Sequence, residues 1–154
     1  MVFSDVNGLP QAPQDKQTWF SVVRQTDGMD GIGHWFLFIA KDEEPGWALE
    51  LEPQGESAAY VSPSEYTLPE DKSKYSKFTM RSLTDEEIEF VFDVAARVPA
   101  PTESQRLDNP SWCLRVITAL TQDGLLNIDS VRGFSGMVRD VLLDQPSFFA
   151  NLSL

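Results

Sequence analysis

Apolar positions in this chain change their spacing once, after Ser82, and that change divides it into a strand-forming first half and a helix-forming second half. Residues 17–25, Gln-Thr-Trp-Phe-Ser-Val-Val-Arg-Gln, are rich in aromatic and β-branched side chains and predict a strand. Three glycines within 26–33 then predict a sharp reversal. The next run, 34–40, is His-Trp-Phe-Leu-Phe-Ile-Ala, apolar on both faces as expected of a central strand covered on both sides. Alternation puts His34 on one face with Phe36 and Phe38. A polar turn over 41–46 leads to 47–52, where Trp47, Leu49 and Leu51 are expected to face inward and Glu50 and Glu52 outward. Shorter extended pieces over 58–61, 65–68 and 77–81 bring the expected total to five or six strands, antiparallel in arrangement.

Past Ser82 the period becomes helical. Thr84 and Glu87 have capping-box spacing, and Ile88, Val91, Phe92, Ala95 and Val98 fall on one face. Pro99-Ala100-Pro101 ends that helix. Asn109 suits an N-cap and Pro110 the first helical position, so a second helix is expected to start there. Its stripe is Cys113, Val116, Ile117 and Leu120, and Gly124 caps it. A third helix is expected to carry Val131, Phe134, Val138, Val141 and Leu142, followed by an apolar tail from Phe148. Strands first and helices last predict an α+β fold: an antiparallel sheet of five or six strands followed by three helices packed on it. Residues 1–16, with two prolines and no period, read as an N-terminal arm, and 17–154 as a single domain.

Composition narrows the function classes. The chain has 154 residues, 42% of them hydrophobic, enough for a real core. Asp and Glu outnumber Lys and Arg by 24 to 12, a formal charge of −12 that repels nucleic acid and anionic membrane surfaces. No apolar run approaches the length of a membrane span, and the start lacks the pattern of a secretory signal, so a cytoplasmic protein is expected. With one cysteine and one histidine, neither an internal disulfide nor a structural metal site is expected, and no cofactor is implied.

Those two residues are also the candidate chemistry. A cysteine in the first turn of a helix feels the positive end of the dipole, which favours thiolate, and a strand histidine can serve it as general base and acid. Cys113 and His34 would fill these roles, with Glu50, Glu52 or Asn109 orienting the imidazole. The plainer alternative is that Cys113, on the apolar stripe with Ile117 and Leu120, is an inert small hydrophobe and His34 a satisfied structural histidine. Trp19, Trp35, Trp47 and Trp112 either wall a pocket for a planar or terpenoid apolar ligand or belong to the core.

His34-Trp35 at the head of an apolar strand, the later Leu49-Glu50-Leu51-Glu52-Pro53, and the helix Asn109-Pro110-Ser111-Trp112-Cys113-Leu114-Arg115-Val116-Ile117 together resemble a group of small fungal proteins. Their layout is similar to the circularly permuted papain-like superfamily, which includes lecithin retinol acyltransferase-like enzymes. The resemblance implies a strand histidine preceding a cysteine at a helix N-terminus. This chain departs from it at the nucleophile: aligned on Trp112, the cysteine position falls at Asn109 or Pro110 rather than at Cys113. Three readings follow. The first is a thiol-dependent hydrolase or acyltransferase acting on a small amide or ester, with Cys113 as nucleophile, His34 as base and Glu50 as orienting group. The second is a cofactor-free protein of secondary metabolism that binds or isomerises an apolar small molecule, the thiol chemistry lost and His34 and Asn109 serving as polar anchors. The third is a non-enzymatic interaction module.

Overall fold

The structure, a computed structural model, describes residues 16–26, 33–54, 57–60, 62–100, 105–129 and 132–133, with side chains in most of them. Its centre is a five-stranded antiparallel sheet of order β6-β3-β2-β1-β7. The strands are β1 (Thr18–Gln25), β2 (His34–Lys41), β3 (Gly46–Leu49), β6 (Ser64–Tyr66) and β7 (Tyr75–Leu83). β4 (Leu51–Gln54) and β5 (Ser57–Tyr60) form a separate two-stranded ribbon. Seven strands thus occur among the described residues, against the five or six expected. The difference arises at Glu50, where the expected strand over 47–52 splits and its second half pairs with β5 instead of continuing along β2.

β2 is central because it is apolar on both faces. Trp35, Leu37 and Ile39 join Phe20, Val22, Leu49 and Leu51 in the core beneath the helices. Phe36, Phe38 and Ala40 join Val23 and Ala48 on the opposite face, with Tyr66, Leu68 and Tyr75 packed against them. Gly46 is required beside β2: a Cβ there would collide with Ala40 and the Ile39 carbonyl.

Helix α1 (Asp85–Arg97) begins with the expected capping box, Thr84 accepting from the Glu87 amide at 3.2 Å and Glu87 from the Thr84 amide at 2.9 Å. It buries Val91, Val94 and Ala95 and contacts β7 and α2. Helix α2 (Gln105–Gln122) lies over β2 and the β4–β5 ribbon. It starts earlier than Asn109 and carries Pro110 inside it. A proline at that point withholds the amide owed to the carbonyl four residues back. Burial compensates: Pro110, Ser111, Trp112, Cys113 and Leu114 are buried in succession, so this part of the helix is enclosed on all sides. Gly124, at φ 89°, ends α2 in a Schellman arrangement, with the Gly124 amide on the Thr121 carbonyl and the Leu125 amide on that of Leu120.

The described part of the chain is therefore α+β, with an antiparallel five-stranded sheet and two helices packed on it. The arm over 1–15, the reversal over 27–32, most of the expected third helix and the tail from Phe148 lie outside the described residues. Trp47 is a correction: expected inward, it is 45% exposed, because it stands beside the short edge strand β6, where its partner Glu65 is exposed too. No helix among the described residues is long and apolar enough to cross a membrane.

Candidate functional site

The residues proposed from sequence separate into two groups on opposite sides of the sheet. His34 opens β2 and shares its face with Phe36, the two rings 5.6 Å apart and tilted by 41°. The pairing of Leu37 with Leu49, carried one residue further, sets Glu50 opposite Phe36 and hence on the same face as His34. The two side chains meet, His34 Nε2 lying 2.7 Å from Glu50 Oε1. Both are partly open to solvent, at 34% and 24% of their side-chain surface. With Nε2–H donated to the carboxylate, the neutral ring keeps its lone pair on Nδ1. Among the described residues Nδ1 has no hydrogen-bond partner. A carboxylate fixing one imidazole nitrogen while the other is free is the arrangement of an oriented general base.

Cys113 belongs to the other side. Its thiol is buried with Trp35, Leu37, Ile117 and Leu120 in the core beneath the helices and is 0% exposed. The early start of α2 makes Cys113 the ninth residue of the helix, not a first-turn residue, and the favourable end of a helix dipole does not reach so far. Burial pushes its pKa well above the usual thiol range, and the negative charge of Glu50 pushes it further in the same direction. The carboxylate that suits His34 therefore opposes a thiolate at Cys113. No thiol–imidazole pair forms across the sheet.

The remaining candidates divide in the same way. Trp35 and Trp112 lie wholly within the helix-side core, while Trp47 is half exposed, so the three do not wall a common cleft. Trp112 donates Nε1–H to the Val98 carbonyl at 3.3 Å and stacks on Tyr60 of β5, ring centroids 5.2 Å apart. Asn109 lies within α2 rather than at its cap, and its side chain is outside the described set. Among the described residues no three of His, Cys, Asp and Glu converge as a metal site would require.

Two features were not anticipated from sequence. One is Tyr60, whose relation to Trp112 depends on the pairing of Tyr60 with Leu51 in the ribbon, a tertiary event without a local signal. The other is a cleft of about 490 Å³ lined by Lys16, Thr18, Lys41, Arg81, Thr84 and Glu87 among others. It opens where β1 begins, whereas His34 pairs with Gln25 where β1 ends, roughly 23 Å away along the strand. Its cations are largely engaged. Arg81 donates to the Leu125 carbonyl at 2.7 Å and to Glu87 at 3.1 Å, and Lys16 lies 3.6 Å from Glu44.

Comparison with known proteins adds no relative: no family model, no curated protein and no solved structure matches this chain.

Proposed function

We propose that this chain is a cofactor-free protein that binds a small molecule and moves a proton on it, with the His34–Glu50 pair as its working group and Cys113 as part of its core. The single observation that carries this reading is the 2.7 Å imidazole–carboxylate contact, with both side chains partly open to solvent while the thiol has no access to it. His34 Nδ1 would take a proton from a carbon acid or hydroxyl of the ligand. Glu50 would stabilise the resulting imidazolium, whose N–H exchanges with solvent, and a proton would return to the ligand at the same or a second position. Such a step needs no co-reactant and belongs to isomerisation or cyclisation. A positioned acid–base group of this kind accelerates proton transfer by about 10²–10⁴-fold. In this reading the scaffold remains of the permuted papain-like kind suggested by the His-Trp strand and the Asn-Pro-Ser-Trp-Cys helix, with its nucleophile chemistry lost.

The reading is tested by solvent exchange. The protein is incubated in deuterium oxide with a panel of enolisable ketones and β-dicarbonyl compounds, and isotope uptake is read by mass spectrometry. Uptake on at least one compound is expected, falling about 10²-fold or more in His34→Gln and less steeply in Glu50→Gln, with Cys113→Ala as active as the parent. Uptake that survives His34→Gln, or that disappears in Cys113→Ala or after iodoacetamide treatment of the parent, would return the chemistry to the thiol.

A further inference from the structure

The Tyr60 hydroxyl is the one side-chain polar atom that is buried and lacks a hydrogen-bond partner among the described residues. A buried hydroxyl without an acceptor loses its water without replacement, and native proteins rarely retain one without a use. Three further observations say what that use is. The phenol ring is stacked on Trp112, nearly parallel at 20°, so the hydroxyl sits at the rim of a flat aromatic surface. Burial raises the phenol's pKa to about 12, so at neutral pH the group is a donor and not an anion. And the strand that carries it, β5, pairs only with β4 in a ribbon separate from the main sheet. A two-stranded ribbon is marginally stable alone, and this one rests on α2. It is the element that can lift while the five-stranded sheet stays intact.

We propose that Tyr60 is a ligand-binding residue, donating its hydroxyl hydrogen bond to a neutral acceptor, such as a carbonyl or lactone oxygen, on a flat apolar molecule admitted between the β4–β5 ribbon and α2. A neutral acceptor fits better than an anion, because Glu50 already puts negative charge near this part of α2 and the whole chain carries −12. The inference rests on the small-molecule reading above for the existence of a ligand. It uses a different residue, on the helix side of the sheet, and makes no use of His34 chemistry.

Coumarin, a flat lactone, and naphthalene, of similar size without an acceptor, serve as probes, read by quenching of tryptophan fluorescence and by the shift in Tm. Coumarin is expected to bind and raise the Tm, naphthalene to bind about tenfold more weakly, and Tyr60→Phe to remove the difference between them. Without ligand, Tyr60→Phe should melt at the same temperature as the parent or higher, since it deletes an unmatched polar group. Equal binding of the two probes, equal coumarin binding by Tyr60→Phe, no binding of either, or a marked drop in the Tm of unliganded Tyr60→Phe each overturns the proposal. Coumarin binding that depends on Tyr60, in a protein without His34-dependent isotope exchange, would retain this inference and refute only the proton-transfer function.

Discussion

Replacing Cys113 by alanine isolates the electrostatic consequence of burying a thiol, and its size follows from where the sulfur sits. Folded, Cys113 is 0% exposed and its pKa lies well above 9.0, the ordinary value; in the unfolded chain it returns to that value. A raised folded-state value contributes stability that is complete below the unfolded value and is lost as pH rises, because only the unfolded chain then releases the proton. At pH 7 the contribution is intact. At pH 10, one unit above the unfolded value, about 1.4 kcal/mol has been lost, and the loss grows by about 1.4 kcal/mol for each further unit until the folded value is reached. For a chain of this length each kcal/mol is worth about 2–4 °C in Tm, so the parent should lose about 3–6 °C more than Cys113→Ala between pH 7 and pH 10. Tyr60, its pKa raised to about 12, is common to both proteins and cancels in the difference. The assay is calorimetric melting of the two proteins over that interval, and the alanine variant's small packing loss enters only as a constant offset. Iodoacetamide supplies an independent reading at pH 8: labelling should follow global unfolding as urea is added. Parallel Tm curves for the two proteins, together with rapid labelling of the folded parent, would refute the argument and restore a reactive thiol.

Further predictions concern packing and the helix start. In Gly133→Val the new Cβ would overlap the Phe78 ring, and a loss of about 1–3 kcal/mol in urea unfolding is expected. Trp112→Ala, which removes a buried indole, its bond to Val98 and its stack on Tyr60, should cost about 3–5 kcal/mol, whereas Trp47→Ser at a half-exposed position should stay within about 0.5 kcal/mol, by the same measurement. The Thr84 amide bond, aided by Arg81, holds the Glu87 carboxyl below its ordinary 4.5. Its contribution is therefore present above pH 4.5 and is lost as pH falls through the lowered value, so the Tm difference between the parent and Glu87→Gln should shrink as the solution is taken from pH 6 to pH 3. A difference that grows on acidification would contradict the capping-box account.

How much of this was legible in the sequence depends on the range of the forces involved. Strands β1 and β2, the capping box and the Gly124 cap are set within a few residues, and the local pattern located them to within a residue or so. The start of α2 illustrates the opposite case. Asn109-Pro110 carries a strong local start signal, yet the helix runs through it from Gln105, with Pro110 buried inside. A missing amide bond is tolerated there because the following four residues are all enclosed, and burial of several large side chains outweighs one capping preference. That shift of one helical start moves Cys113 away from the dipole and removes the main physical reason to expect a thiolate.

The grouping of His34 with Phe36 and Phe38 was readable from alternation alone, and the structure has it. Alternation also separates His34 from Trp35, Leu37 and Ile39, so only one of these sets can face the helices. Because both faces of β2 are apolar, hydropathy has no means of choosing between them. The choice is made in three dimensions: Leu49, Leu51 and the Cys113 stripe of α2 all fall on the Trp35 side. Once that happens the chemistry is partitioned. Glu50, on the His34 side, lies 2.7 Å from the imidazole, while its field raises the pKa of Cys113. One carboxylate cannot serve an imidazolium and a thiolate alike from this position. The structure leaves the His34–Glu50 pair partly open to solvent and the sulfur of Cys113 buried in the core.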